Sequence, residues 1–305
     1  MTTADYPALY QAADTASTRA QKLYLRLFRG TLLFLISGAL LGSVSIKSPE
    51  WHQVSSILAA LLLGLSFVLS ATLKILSPEK TWFGGRAVAE SIKSITWRYM
   101  VGGEPYGIEL EPQVVDAKFA KELGSILRER RSLAWKYADP ADVPQITTEM
   151  GASRGMSTEN RLSLYLTERV RQQRSWYGTK AKEAERLHMK WFCISILGQA
   201  AALISAILMI KAGDAPINLT GAFSAVAAAS MAWLQMKRYQ DLAQSYALAA
   251  HELGLIEIQA EHVRRLIEAE SLQVRREAHL GSFVANAENA ISREHTMWVA
   301  RRDVG

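Results

Sequence analysis

Four stretches of this 305-residue chain, 31–46, 54–73, 191–210 and 217–236, contain no Asp, Glu, Lys or Arg. With about a quarter of residues charged in a typical protein, an uncharged run of twenty arises with a chance of roughly 0.003. Four in one chain exclude an ordinary soluble globule. Crossing about 30 Å of hydrocarbon takes about 20 residues at 1.5 Å each. Three runs meet that length, and the first, 31–46, reaches it with a turn from Gly30 and its flanks. Helices of a soluble bundle keep a polar stripe, which these lack.

Short connections, 47–53 and 211–216, pair the spans into two hairpins, the second broken by Asp214 and Pro216. Each connection carries one basic residue, and the other 33 of 35 Lys and Arg lie on the opposite side. The positive-inside rule therefore places both termini and the middle region in the cytoplasm. The net charge of +6 is explained by topology and by anionic lipid heads, so nucleic acid is not an expected partner. The single cysteine, Cys193, excludes an intrachain disulfide framework.

The expected fold is an all-α membrane protein: two transmembrane hairpins, four spans, over a cytoplasmic helical bundle with a coiled coil. Residues 1–30 form an N-terminal cytoplasmic helix leading into the first span. A first module covers 31–112, with spans 31–46 and 54–76 and a helix over 78–101. Its start, Ser77-Pro78-Glu79, reads as N-cap, first position and dipole-matching acid, and it stops at Gly102-Gly103. A helix over 114–137 and a linker at 139–155 fill 113–156. A second module covers 157–280: helix 158–190 capped by Thr158, spans 191–210 and 217–236, and a long helix 237–280. Residues 281–305 add a C-terminal helix. In the long helix, Leu242, Tyr246, Ala249, Leu253, Ile256, Ala260, Val263 and Ile267 alternate by four and three, the a/d pattern of a coiled coil. The partner is a preceding helix of the same chain, ending at Lys190, or another subunit, with the first preferred.

Two segments carry a family resemblance. The run from Trp82 to Tyr99, including Glu90 and Trp97 and followed by Gly102-Gly103-Glu104-Pro105-Tyr106, resembles one SLATT module (SMODS- and SLOG-associating two-transmembrane effector domain). Tyr165, Arg169, Gln172, Trp176, Tyr177, Lys180 and Ala181, ahead of the second hairpin, resemble a second subtype. The resemblance spans about residues 10–280. It implies a membrane effector of bacterial conflict systems, proposed for the family to form pores in the cell's own inner membrane. It also implies a separately encoded nucleotide-sensing or nucleotide-synthesising partner, because no such domain is recognisable in this chain.

No chemistry is legible elsewhere. His251-Glu252 begins like a zinc-protease motif, but Leu255 stands where the second histidine belongs. His251 and His262 are three turns apart, too far to share an ion. Gly84-Gly85 and Gly102-Gly103 lack phosphate-loop patterns. The spans hold no acid or histidine of the kind that integral enzymes and proton-coupled transporters place at membrane depth. No catalytic residue, metal or cofactor is therefore expected. A membrane hydrolase has no identifiable site, and the basic doublets, such as Arg264-Arg265, have acidic neighbours. Within the spans, Gly38 and Gly42 form a helix-approach motif. Ser66 and Ser70 share one face, as do Ser195 and Gln199, and Gly221, Ala225 and Ala229 recur every fourth residue. These faces line a pore or a subunit contact, or they pack the four helices of one chain. The leading function is a pore-forming or membrane-perturbing effector, expected to be homo-oligomeric. The alternative is a non-conducting scaffold that recruits a partner through its coil.

Overall fold

Pro7 immediately precedes the first long helix. Its carbonyl accepts from the Gln11 N–H at 3.1 Å, and α1 then runs unbroken over Ala8–Gly42, joining the N-terminal helix to the first apolar run. In this computed structural model, residues 1–43, 49–129, 142–212 and 218–303 are described. The end of the first span, parts of both hairpin connections, the end of the expected helix 114–137 and the Arg130-Arg131 doublet lie outside the described residues. Among the described residues there is no strand.

Helix α2 spans Pro49–Leu76 and α3 spans Pro78–Val101. Between them Ser77 adopts a left-handed φ of 40°, and its hydroxyl donates back to the Lys74 carbonyl at 2.8 Å. Ser77 therefore closes α2, correcting its expected role as the N-cap of α3. Helix α3 ends as expected. Gly102 takes φ 74° and the Gly103 N–H bonds the Arg98 carbonyl at 2.8 Å, a six-to-one closure that glycine permits.

Helix α4 covers Pro112–Glu129 and α5 Thr148–Arg154. The latter lies inside the expected linker, which is not free-running. Thr147 donates to the Asp5 carbonyl at 2.7 Å, and Pro144 accepts from the Ala8 N–H at 3.3 Å. The N-cap of α6 (Thr158–Leu164) is Ser157, accepting from Asn160. Thr158, expected in that role, instead donates its hydroxyl to Glu277 at 2.6 Å. Helix α6 passes through a π-helical segment, Tyr165–Arg171, into α7, Gln172–Ala212.

Helix α8 spans Thr220–Lys237, α9 Tyr239–Ala269 and α10 Gln273–Asp303. Two breaks interrupt the expected long helix. Arg238 sits at φ 49° with its guanidinium on Asp241 at 2.7 Å. At the second break, Glu270 accepts from the Leu272 N–H at 3.0 Å. In each case a side chain close in sequence supports the turn, so no proline is required.

The chain divides into two compact units. The first contains Met1–Gln21, Glu79–Thr179 and Ser245–Gly305. Its core is aromatic at the centre. Trp97 is fully buried, meets Tyr165 edge-on at 5.8 Å and donates its indole N–H to the Tyr6 hydroxyl at 3.0 Å. The 4–3 seam of α9 faces this core through Leu253, Ile256, Ala260 and Ile267, and Tyr246 rests on the rings of Trp176 and Tyr177. The seam is thus covered within the chain. Replacing Leu253 and Ile256 with Asp should unfold α9. Each buried aliphatic contributes about 1.5–3 kcal/mol, and an unpaired buried charge adds a further cost. Circular dichroism and limited proteolysis in detergent would show lost helicity and new cleavage; unchanged behaviour would contradict the packing.

The second unit contains Lys22–Pro78 and Lys180–Gln244. Helices α1 and α2 run antiparallel within it. A Cβ on Gly30 would lie 2.8 Å from Leu69, and one on Gly38 2.9 Å from Leu63, while the Ser66 hydroxyl donates to the Thr31 carbonyl at 3.0 Å. Helices α7 and α8 pair the same way: a Cβ on Gly198 would lie 3.2 Å from Ala227, and Ser195 donates to the Ala227 carbonyl at 3.2 Å. Trp233 joins the hairpins, its ring tilted against Phe28 at 6.1 Å and Trp191 at 5.7 Å. Among the described residues three helices are long and apolar enough to cross a membrane, Ala8–Gly42, Glu50–Leu76 and Thr158–Ile210. The described part of the fourth expected span, α8, has 18 residues, is rich in Ala and Ser, and is not among those three.

Candidate functional site: a buried arginine–glutamate core

The most chemically distinctive place in the first unit arises from a repeat of four. Arg161, Tyr165, Arg169, Gln173 and Tyr177 follow one another at intervals of four residues. On an α-helix each such step overshoots a turn by about 40°, so four steps would spread the row over about 160°. The π-helical segment closes more residues per turn, with the Gln172 N–H reaching the Thr167 carbonyl, and it absorbs most of that drift. Arg161, Tyr165 and Arg169 are all buried.

Arg169 is 1% exposed and its partner Glu288, on α10, is wholly buried. The guanidinium donates through Nε and Nη2 to both carboxylate oxygens at 2.9 and 2.8 Å, the bidentate geometry that suits such a pair. Tyr165 donates to the same carboxylate at 2.9 Å and Ser94 at 2.6 Å. Arg169 Nη1 donates to Gln173 at 2.7 Å, and Gln173 passes the chain to the Tyr177 hydroxyl at 3.2 Å. Burial alone works against the Arg169 charge, but the Glu288 carboxylate outweighs it and holds the guanidinium's pKa above its ordinary value. Burial, reinforced by the same carboxylate, pushes the Tyr165 phenol well up. The network thus keeps Arg169 charged and Tyr165 neutral. Lys93, close to this cluster, is shifted downward by burial.

A second pair stands about two turns earlier on the same helical run. Arg161 donates to Glu277 at 2.6 Å, to the Val101 carbonyl at 2.9 Å and to the Met156 carbonyl at 3.0 Å. Arg154 has three carbonyl partners, on Tyr99, Tyr106 and Gly107, each at 2.8 Å, and so fastens the loop after α3. Every polar atom of Arg169 and Arg161 serves the fold. The arrangement positions helices; it presents no nucleophile–base pair. Among the described residues no group of three or more His, Cys, Asp and Glu is placed to hold a metal ion.

The family-motif residues divide between core and surface. Trp97, Tyr165 and Arg169 meet in this core. Glu90 pairs with Arg86 at 2.6 Å, Tyr177 is half-buried, Gln172 is exposed, and Trp176 is 43% exposed. Lys180 belongs to the second unit, paired with Glu183 at 2.7 Å. Ser94, Arg161, Gln173, Glu277 and Glu288 were not singled out from sequence. The four-residue repeat could have revealed Arg161 and Gln173; nothing local marks Glu288, which lies 119 positions from Arg169.

The small and polar residues of the apolar runs are also unequal. Gly38, Ser66 and Ser195 sit in helix–helix contacts, Ala229 is buried and Ala225 is half-buried. A Cβ on Gly42 would meet nothing within 4 Å. Ser70 and Gly221 are exposed, as is Gln199, which donates to Ser195 at 3.4 Å.

Residues 7–162 match the family SMODS and SLOG-associating 2TM effector domain 3, and residues 165–298 match SMODS and SLOG-associating 2TM effector domain 1. No curated protein and no solved structure matches the chain. The matches are consecutive in sequence, yet each compact unit draws segments from both. The Arg169–Glu288 core is one result, since Ser94 and Trp97 come from the first match and Tyr165, Arg169 and Glu288 from the second. Helices of bilayer length and two successive family matches together make this chain a member of the SLATT family, carrying two of its two-transmembrane effector domains in tandem.

Proposed function

We propose that the chain is a pore-forming or membrane-perturbing effector of a bacterial defence system. In this reading it spans the inner membrane four times, with both termini cytoplasmic, and acts as a homo-oligomer without enzymatic activity. The observation that carries the reading is the apolar surface of the bilayer-length helices. Leu33, Phe67, Ile75, Leu197 and Ile210 are 63–83% exposed, a surface that water would penalise and lipid tails accept. Two domains of a two-transmembrane family support four spans, with α8 completing the second hairpin. The trigger comes from a nucleotide-sensing or nucleotide-synthesising partner encoded separately.

Purified protein in liposomes should release an entrapped dye once triggered, and Ala225→Leu with Ala229→Leu should reduce release at equal membrane abundance. Those substitutions keep the span apolar and add volume where close helix approach governs association in lipid. Intact liposomes with every candidate trigger present would favour the scaffold reading. Topology is separately testable. Reporter fusions after Gly305 should read cytoplasmic and insertions within 47–53 extracytoplasmic, because 33 of 35 basic residues lie on the former side. A C-terminus outside the cell would overturn the orientation.

A further inference from the structure

We propose that the π-helical segment Tyr165–Arg171 is one register of a two-register switch, the other being an α-helix that replaces Gln173 and Tyr177 on the core-facing side with Gln172 and Trp176. Three observations support it. The first is the segment itself. Tyr165–Arg171 is π-helical, a departure of one residue in phase from α geometry of the kind found inside α-helices frequently at functional sites. The second is what holds it. Arg161 binds Glu277 at one end of the row, Tyr165 and Arg169 grip Glu288 in the middle, and Gln173 carries it on to Tyr177; on an α-helix the two ends of that row would stand about 160° apart.

The third is in the sequence just beyond. Relaxing seven π residues to α would turn everything after Arg171 by about a third of a turn relative to Arg161, close to the 100° that separates neighbouring residues. The residue one place earlier then comes to the core-facing side. Those residues are Gln172 instead of Gln173 and Trp176 instead of Tyr177: an amide replaces an amide, and an aromatic ring replaces an aromatic ring, four residues apart in both registers. Trp176 already lies 5.5 Å from Tyr246 and Tyr177 5.6 Å from it. Slippage would give up the exposed Arg174–Glu257 ion pair, a contact of a kind worth little. The duplicated chemistry makes the two registers close in energy, as a bistable element requires. This inference stands whether or not the spans conduct.

Maleimide labelling of single cysteines tests it, on the full-length protein in detergent with Cys193→Ser removing the native thiol. With no further change, Trp176→Cys should react faster than Tyr177→Cys. Glu288→Gln weakens the grip on Arg169 and should invert that order. Deleting Thr167 shortens the helix by one residue, so that an ordinary α-helix keeps Gln173 and Tyr177 facing inward. This variant should show the original order and should retain it when Glu288→Gln is added. Equal acceleration at both positions in Glu288→Gln would indicate loosening of the fold and would overturn the switch, as would an unchanged order. Inversion by the Thr167 deletion alone would overturn it independently of how Glu288→Gln folds.

Discussion

Replacing Arg169 by Met should destabilise the core of the first unit by about 3–5 kcal/mol, the usual consequence of stripping the partner from a buried charge. The size follows from burial. Arg169 and Glu288 are 1% and 0% exposed, so water cannot solvate a stranded Glu288 carboxylate, and Ser94 and Tyr165 can supply only neutral donors. Removing both charges, as Arg169→Met with Glu288→Leu, should recover most of the loss, because an apolar pair of similar volume carries no desolvation penalty. Thermal melting in detergent, followed by circular dichroism, provides the comparison. The single variant should melt far below the wild type and the double variant between them. A single variant that melts with the wild type would mean that the pair is hydrated in solution.

The second large effect belongs to the first hairpin. Gly38→Ile should disrupt the pairing of α1 with α2, whereas Gly42→Ile should leave it intact. At Gly38 even a Cβ would sit 2.9 Å from Leu63 Cγ and 3.3 Å from the Ala59 carbonyl oxygen, and backbone cannot yield as a flexible side chain does. Overpacking of this kind costs about 1–3 kcal/mol, and where fit drives helix association in lipid there is little else to offset it. At Gly42 a Cβ meets nothing within 4 Å. Protease resistance of the reconstituted hairpin should fall for Gly38→Ile alone. If Gly42→Ile instead abolishes dye release while the hairpin stays resistant, its open face is a contact between copies.

Much of this protein was legible because lipid imposes a one-dimensional rule. An uncharged run of bilayer length is visible without any knowledge of its neighbours, and so is the segregation of basic residues. The 4–3 seam of α9 was equally readable, since Leu253 and Ile256 face a core wherever their partner comes from. Local turn chemistry was harder. Ser77 and Thr158 have the composition of N-caps, but the Ser77 hydroxyl turns back to the Lys74 carbonyl of the preceding helix, and the Thr158 hydroxyl goes to Glu277, a group brought near only by folding. At Arg238 a left-handed residue interrupts a helix that no proline or glycine interrupts.

What the sequence determined by itself is the apolar helical runs, the segregation of charge between them and the residues that carry the SLATT signature, because each is visible along the chain without its folded neighbours. The tertiary structure alone decided which of those residues meet. It brought Glu288 to Arg169 across 119 positions and drew segments of both tandem domains into one core. It also placed Gly38 against Leu63 while leaving Gly42 open. It chose the π register as well: the repeat of Arg161, Tyr165, Arg169, Gln173 and Tyr177 can face one side only if the helix unwinds. Spacing along one helix cannot reveal such choices, because a buried carboxylate finds its donors among whichever helices pack around it.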